Sequence, residues 1–486
     1  MASTDIVIQK VNEVYIRLLC DAGLAMELSE FFTFYVPGYK FMPAFRNKVW
    51  DGKIRLFNTQ NRTLYTGLMS YVEKFCKERD YTYECEDELL VADELSLDEA
   101  QTFVDTLGIP FQPREYQLRA FTHAIRNRRG LLLSPTASGK SLIIYLITRY
   151  VESKTLIIVP TISLVAQLAK DFKDYGYDSD ENVHKITAGA TKDTDKQIVI
   201  STWQSIYKMP REWFQQFSLV IGDEAHLFKA QSLTSILVNM IDCKYRFGLT
   251  GTLDGTQTHR LVLEGLFGKV KQITTTKDLI DAGNLAKFKI KALLLKYDED
   301  TCKHVKSMKY QDEIDFLVTH QARNKFIKNL ALSLKGNTLV LFQLVEKHGE
   351  VLHRMINEAT SEDRQVFFIH GGVDVDSRED VRRITEEEKD AIIIASFGTF
   401  STGINIRNLH NVIFASPSKS KIRTLQSIGR GLRLGKDKEI ATLYDIADDL
   451  THKSHKNFTL DHFMERMKIY NEEKFDYKIY TINLKG

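Results

Sequence analysis

Three short segments of this 486-residue chain carry charged residues at spacings suited to chemistry on phosphate groups. They are residues 134–141 (SPTASGKS), 223–226 (DEAH) and 426–433 (QSIGRGLR). Phosphoryl transfer needs a cradle for the phosphates, a carboxylate for Mg²⁺, a base that orients water and positive charge on the transferred group. The first two segments can supply the cradle, carboxylate and base, and the third can supply the charge. The sequence therefore predicts a site that binds ATP and Mg²⁺ and splits ATP, assembled between two lobes.

The first segment has the composition of a phosphate-binding loop. Backbone N–H groups in such a loop, together with the N-terminus of the next helix, bind phosphate oxygens. Gly139 would allow close approach, Lys140 would reach the β and γ phosphates, and Ser141 would ligate Mg²⁺. The loop residues expected to contact the nucleotide are Thr136, Ser138, Gly139, Lys140 and Ser141. Ser134 stands where the usual pattern has glycine. A chance Gly-Lys-Ser turn is the alternative, but the strand before the loop and the helix after it favour phosphate binding.

The acid pair of the second segment follows the apolar run 217–221, which reads as a strand. Ligands of open α/β sheets bind at the carboxyl ends of strands. Asp223 would hold Mg²⁺, and Glu224 would polarise the attacking water. The alternative is a solvated acid pair that caps the next helix. His226 alone would more often be structural, but the position of the pair after a strand and downstream of Lys140 favours catalysis.

Arg430 and Arg433 in the third segment are one helical turn apart, so both can point at the same target. Arginine stabilises the charge of a transferring phosphoryl group. These positions are also compatible with contacts to a DNA backbone or with a surface ion pair.

Alternating apolar runs and helical segments from residue 113 onward predict parallel βαβ units. A first series of strands is expected at 130–133, 155–159, 197–201 and 219–221, and a second at 338–342, 366–369, 391–395, 411–415 and 440–445. Residues 1–105 read as a separate α+β module with a helix at 68–77. The predicted fold class is α/β, with two parallel-sheet lobes and a small N-terminal domain.

Composition sets the broad class of protein. The 43% hydrophobic and 27% charged fractions are those of an ordinary globular protein, and a net charge of +2 says little about partners. The longest apolar runs are too short to span a membrane, and no signal peptide is expected at the start. The five cysteines, Cys20, Cys76, Cys85, Cys243 and Cys302, are scattered, which predicts neither zinc nor disulfides and indicates a reducing, cytosol-like compartment.

Residues 40–62 mix basic and aromatic side chains. The bases are Lys40, Arg46, Lys48, Lys53, Arg55 and Arg62, the only acid is Asp51, and the aromatics are Phe41, Phe45, Trp50 and Phe57, with Tyr39 just before the segment. Such a mixture attracts nucleic-acid backbones and exposed bases. A small domain whose aromatics form its core and whose charges are solvated explains the pattern equally well.

The chain resembles the superfamily 2 helicases and translocases over roughly residues 111–450. Residues 111–117 (FQPREYQ) look like the adenine-reading segment, which implies nucleotide contacts by Arg114 and Gln117. Residues 159–161 with Gln167, and 201–204, look like strand-contacting motifs, which implies DNA contacts by Thr161 and Thr202. Residues 249–252 (LTGT) match the coupling motif. Residues 370–371 and 401–405 correspond to backbone-gripping and ATP-coupling motifs, which implies roles for Thr402 in DNA binding and Gly403 in nucleotide binding.

Within that superfamily the layout is similar to the T-even phage recombination helicases, the UvsW family. Residues 50–56 (WDGKIRL) look like the N-terminal signature of that family. The resemblance implies RecA-like lobes at 106–285 (ATP-binding) and 286–486 (helicase C-terminal), behind a nucleic-acid-binding domain at 1–105 whose DNA contacts would include Lys48, Lys53 and Arg55.

The activity implied by the resemblance is ATP-driven unwinding and branch migration of recombination and stalled-replication intermediates. Partners would be forked, branched and four-way-junction DNA, RNA–DNA hybrids, and single-strand-binding or recombination proteins, in the host cytoplasm if a phage encodes the chain.

Three other functions are alternatives to this one. A restriction-enzyme duplex DNA translocase subunit has similar lobes, but no nuclease site is evident in the sequence. An RNA helicase is also possible, because the motif at residues 223–226 occurs with either nucleic acid. A non-catalytic DNA-binding scaffold with a decayed ATP site is supported only by Ser134.

Overall fold

The computed structural model describes residues 4–90, 92–187, 189–227, 230–253, 257–403, 406, 408–416, 420, 427–429 and 440–484. The chain forms two compact units. The first comprises Met1–Ser134 with Gly139–Ile273, and the second comprises Pro135–Ser138 with Thr274–Gly486.

The first unit begins with a small α+β domain. Its strands are β1 (Ile6–Lys10), β2 (Tyr15–Leu19), β3 (Thr33–Tyr35), β4 (Lys53–Arg55), β5 (Thr63–Tyr65) and β6 (Tyr83–Cys85), and its helices are α1 (Ala22–Phe31), α2 (Pro43–Arg46), α3 (Met69–Glu78) and α4 (Asp87–Leu90). The four-stranded sheet has the order β5-β2-β1-β6, and β3 and β4 form a separate antiparallel pair. The helix predicted at 68–77 is confirmed as α3, whose Val72, Phe75 and Cys76 are buried.

A seven-stranded sheet fills the rest of the first unit. Its strands are β7 (Arg129–Leu133), β8 (Thr155–Val159), β9 (Val183–Ile186), β10 (Ile198–Thr202), β11 (Leu219–Asp223), β12 (Tyr245–Thr250) and β13 (Val270–Gln272). The order is β13-β7-β12-β11-β8-β10-β9, and every pairing is parallel. Its helices are α5 (Leu97–Thr106), α6 (Glu115–Asn127), α7 (Lys140–Val151), α8 (Ile162–Asp174), α9 (Ser179–Asn182), α10 (Trp203–Ile206), α11 (Arg211–Phe214), α12 (Ala230–Leu237) and α13 (Gln257–Phe267).

The N-terminal domain docks directly on this sheet domain. The backbone of Gly67 approaches α13 so closely that a Cβ atom on Gly67 would lie 2.0 Å from the carbonyl oxygen of Glu264. The hydroxyl of Tyr71 donates to the carboxylate of Glu264 at 2.5 Å. Arg129 at the start of β7 donates to both the carbonyl and the carboxylate of Glu13, each at 3.1 Å. Because Leu261 of α13 also lies in the apolar core of the N-terminal domain, the two domains share packed surface.

The second unit contains another seven-stranded parallel sheet. Its strands are β14 (Lys287–Lys296), β15 (Thr338–Phe342), β16 (Val366–Ile369), β17 (Ile392–Ser396), β18 (Asn411–Phe414), β19 (Ile440–Asp449) and β20 (Tyr477–Asn483), and its helices are α14 (Thr276–Asp281), α15 (Glu299–Val305), α16 (Tyr310–Thr319), α17 (Gln321–Ser333), α18 (Glu350–Asn357), α19 (Val375–Glu387), α20 (Phe397–Gly403) and α21 (Phe458–Glu472). The order is β16-β17-β15-β18-β19-β14-β20. The predicted fold class, two parallel-sheet lobes behind a small α+β domain, is confirmed.

Two further sequence expectations bear on the fold. All five cysteines are free thiols in this structure. In the part of the chain that the structure describes, no helix is long and apolar enough to cross a membrane.

Candidate nucleotide site

The phosphate loop joins the end of β7 to the start of α7. Gly139 caps that helix with φ +77°, and a Cβ atom there would lie 2.4 Å from Nε2 of Gln117, so the position suits glycine. Ala137 also has a positive φ, of 68°. Ser134 does not, and its N–H instead donates to the carbonyl of Thr250 at 2.9 Å, which continues the pairing of β7 with β12. A side chain is therefore tolerated where the usual pattern has glycine.

Lys140 and Glu224 come together beside this loop. The ammonium Nζ of Lys140 lies 3.2 Å from Oε1 of Glu224 and donates to the carbonyl of Ser134 at 3.5 Å. Both side chains are mostly buried, at 11% and 19% exposed. Glu224 immediately follows β11 and has φ +50°, a conformation that costs energy for a residue with a side chain. The fold thus holds the carboxylate next to the lysine at the carboxyl end of a central strand.

Asp223, the last residue of β11, lies in a strongly perturbed electrostatic environment. Burial, and then the neighbouring Glu224 carboxylate, raise the pKa of Asp223 far above its usual range, and Lys140 opposes them only in part. A divalent cation would reverse this balance, because its charge favours the ionised carboxylate. The Asp223 carboxylate and the Ser141 hydroxyl are both oxygen ligands of the kind that Mg²⁺ prefers, so these residues fit that ion.

This environment predicts a pH effect on stability. The pKa of Asp223 is about 7 in the folded chain and near 3.8 in the unfolded one, so between these values only the folded chain binds the proton. Stability should therefore fall as pH rises from about 4 to about 7 and level off above, since ionising Asp223 among Glu224 and other buried groups is costly. In EDTA, we expect the melting temperature of the wild-type protein minus that of Asp223→Asn to decrease as the pH rises from about 4 to about 7 and to stay constant above. A difference that does not vary with pH would contradict the assigned environment.

Residues 223–226 are linked through His226 to the segment that follows β12. The hydroxyl of Thr250 donates to the carbonyl of Thr252 at 2.8 Å, so the Nδ1–H of His226, 2.5 Å away, donates to Thr250. The same imidazole nitrogen lies 3.5 Å from Oε2 of Glu224. His226 is therefore part of a buried chain of contacts that joins Glu224 to residues 250–252.

Arg114 and Gln117, which are expected to contact the nucleotide, lie at the start of α6. The carboxamide oxygen of Gln117 accepts from the backbone N–H of Arg114 at 2.9 Å, and its Nε2 donates to the carbonyl of Gly139 at 3.4 Å. The guanidinium of Arg114 donates to the hydroxyl of Tyr116 at 3.0 Å. Gln117 therefore ties α6 to the phosphate loop.

The loop hydroxyls have protein partners of their own. Ser138 donates to the carbonyl of Pro135 at 2.7 Å. The hydroxyl of Ser141 lies 2.7 Å from that of Tyr175, a residue that no sequence motif marks. The nucleotide contact of Thr136 stays a prediction.

Thr161 and Thr202, which are expected to contact the DNA strand, lie at the carboxyl ends of strands in the seven-stranded sheet of the first unit. Val159 and Thr202 are register partners in β8 and β10, so Thr161 and Thr202 lie at neighbouring strand ends. Thr161 caps α8 by accepting from the N–H of Leu164 at 3.4 Å. Thr202 is buried, and its hydroxyl lies 2.9 Å from that of Ser205.

The basic residues expected to bind DNA lie on and beside the β3–β4 pair. The ammonium of Lys53 stands 4.9 Å from the ring centre of Tyr35, and Arg55 forms an ion pair with Asp51. Lys48 is exposed and has φ +57°. The indole N–H of Trp50 donates to the carbonyl of Lys53 at 2.9 Å, so this ring helps to hold the start of β4.

Four predicted site residues have no described side chain. Arg430 and Arg433 lie outside the described residues. Thr402 and Gly403 end α20, but only their backbone is described. The predicted roles of all four stay predictions.

Models of known families match three segments of the chain. These are the N-terminal domain of DNA helicase UvsW at residues 5–86, the res subunit of type III restriction enzymes at 110–255, and the helicase conserved C-terminal domain at 321–435.

Relatives and solved structures match most of the chain. The ATP-dependent DNA helicase uvsW of Enterobacteria phage T4 is 37% identical over 496 residues, covering 97% of this chain and 98% of the relative. The DNA 3'-5' translocase XPB2 of Sulfurisphaera tokodaii is 26% identical, covering 71% and 85%. The crystal structure of T4 UvsW superposes with a TM-score of 0.54 at 35% identity over 99% of this chain and 100% of that one. With its helicase segments and these identities, the chain belongs to the UvsW family of ATP-dependent DNA helicases.

Proposed function

We propose that this chain hydrolyses ATP to unwind or branch-migrate DNA intermediates of recombination and stalled replication, including RNA–DNA hybrids. The observation that carries the proposal is the 3.2 Å approach of Lys140 to Glu224 beside the phosphate loop, at the end of the strand that bears Asp223. A scaffold with a decayed ATP site would have no reason to keep this buried ion pair, because apolar residues of similar size are often at least as stable in its place.

The roles within this site follow from charge and position. Lys140 neutralises the β and γ phosphates, and Glu224 accepts the proton of the attacking water. Asp223 and Ser141 would hold Mg²⁺, which supplies positive charge to the phosphate oxygens when bound. Arg430 and Arg433 add charge to the transferred phosphoryl group, and Gly403 contributes to nucleotide coupling.

Domain roles complete the proposal. Residues 1–105 bind nucleic acid, 106–285 bind ATP, and 286–486 form the helicase C-terminal lobe, with Thr161, Thr202 and Thr402 on the DNA strand. A deletion that tests the first role should end before Leu95, because Leu95, Ala100 and Val104 lie in the apolar core shared with α6 and α7. We place the activity in the host cytoplasm, where single-strand-binding and recombination proteins are candidate partners.

A panel of nucleic acids tests this function. We expect ATP turnover to be stimulated most by forked and four-way-junction DNA and by RNA–DNA hybrids, with strand separation measured on the same substrates. Stimulation by plain duplex DNA without strand separation would favour a restriction-type translocase instead. DNA binding with no turnover on any substrate would favour the scaffold.

Charge reversal tests the DNA face of the N-terminal domain. Replacing Lys48, Lys53 and Arg55 by glutamate should weaken junction binding, because Lys48 and Arg55 are exposed and Lys53 is partly exposed. The slope of log affinity against log salt should become shallower by about one unit per lost phosphate contact. Arg55 should contribute least of the three, since Asp51 already offsets its charge.

The matched control is Lys77→Glu, an exposed lysine on α3 of the same domain, which should leave both affinity and slope unchanged. An unaltered slope in the triple variant would show that this face is merely solvated.

A further inference from the structure

Tyr175 touches both ends of the candidate nucleotide site. It directly follows α8, and its hydroxyl lies 2.7 Å from that of Ser141 at the start of α7. Its ring meets the ring of Phe111 edge to face, with centroids 5.6 Å apart and planes at 81°. Tyr145 of α7 packs on it as well, at 5.3 Å. Three elements thus fix the position of this side chain.

The chemistry of a serine ligand explains what the hydroxyl contact does. A serine hydroxyl has one hydrogen and two lone pairs. When its oxygen binds a cation, the hydrogen must point away from the cation and needs another acceptor. The phenol of Tyr175 is protonated at neutral pH, and its oxygen retains lone pairs that can accept that hydrogen.

We propose that Tyr175 is a positioning residue of the nucleotide site. Its phenolic oxygen accepts the Ser141 hydrogen and so turns the serine lone pairs toward Mg²⁺, while its ring supports Phe111. This inference rests on the proposed ATP site.

The ring contact extends the role of Tyr175 to the adenine side. Phe111 is 45% exposed and begins the segment that carries Arg114 and Gln117, so a face of its ring can stack on a base. An edge-to-face partner limits the rotation of that ring. The same tyrosine therefore orders an aromatic surface for the base and a hydroxyl for the cation.

Substitutions at position 175 separate the two contributions. In Tyr175→Phe the ring stays and the hydroxyl is lost, so the Mg²⁺ concentration for half-maximal binding of a fluorescent, non-hydrolysable ATP analogue should rise about fivefold. Affinity for the analogue in EDTA should not change. In Tyr175→Ala the ring is lost too, so affinity should fall both with Mg²⁺ and in EDTA.

Two control experiments distinguish positioning of Ser141 by Tyr175 from a purely structural role of Tyr175. Tyr177→Phe removes the hydroxyl of a nearby half-buried tyrosine that packs on Tyr145, whereas the Ser141 hydroxyl contacts Tyr175, so this change should leave Mg²⁺ dependence unaltered. In a Ser141→Ala background, Tyr175→Phe should have no further effect on Mg²⁺ dependence, since a double-mutant cycle reports direct coupling.

The outcomes distinguish the inference from the function on which it rests. Wild-type binding of the analogue with normal Mg²⁺ dependence in Tyr175→Phe would overturn the role of Tyr175 and spare the ATP site. An equal loss in Tyr177→Phe, or additive effects of the Ser141 and Tyr175 changes, would overturn it as well. Absence of analogue binding by the wild-type protein would overturn both.

Discussion

Replacing Glu224 by glutamine should leave ATP bound and slow its hydrolysis about a thousandfold, because the amide can orient a water molecule but cannot accept its proton. The substitution keeps the size of a side chain that lies 3.2 Å from Lys140 and 3.5 Å from His226. It also removes the negative charge that pairs with Lys140 when no nucleotide is bound. ATP affinity should therefore hold or improve slightly while turnover collapses.

Phosphate release with saturating DNA measures ATP turnover, and equilibrium binding of ATP measures affinity. The control is Glu212→Gln, an exposed glutamate on α11, which should turn ATP over at the wild-type rate. Near-normal turnover by Glu224→Gln at normal thermal stability would assign the base to another residue.

Arg246→Met should destabilise the first unit by about 3 kcal/mol and lower its melting temperature by roughly 10 °C. The guanidinium is fully buried in β12 and donates to the carbonyls of Leu237 and Met240 at 2.8 Å each and of Leu266 at 3.0 Å. These carbonyls lie at or just beyond the C-terminal ends of α12 and α13, where helix dipoles favour a cation. Methionine fills similar space but leaves all three acceptors without this donor.

Thermal unfolding followed by circular dichroism checks this expectation. Arg211→Met, an exposed arginine at the start of α11, should shift the melting temperature by no more than a degree or so, because exposed substitutions cost little. A small shift in Arg246→Met would mean that water replaces the guanidinium without cost.

The sequence predicts the catalytic core of the fold well because local signals agree there. β8, β15 and β16 occupy the ranges expected from their apolar runs, and α7 begins at the lysine of the phosphate loop. Ser134 replaces the usual glycine without disturbing the loop, since the backbone there needs no left-handed conformation. Strand, turn and helix each point to the same loop.

Other features depend on contacts between distant residues and leave no local trace. β14 alternates lysine with apolar residues, lies outside both expected series of strands, and pairs with β19 and β20. The docking of Gly67 on Glu264 joins residues almost two hundred positions apart. The contact of Tyr175 with Ser141 depends on where α8 ends relative to α7. Periodicity and motif spacing cannot reveal such pairings.

The place of β20 in the second sheet has a consequence for synthesis of the chain. This strand pairs with β14 from Ile290 to Lys296, yet it is translated long after β14. Until it arrives, the ten-residue β14 is an open edge whose unpaired N–H and C=O groups can pair with strands from other chains. A chain that ends before Tyr477 would keep every nucleotide motif but leave β14 at the edge of the sheet, and we expect it to aggregate more readily than the chain with β20.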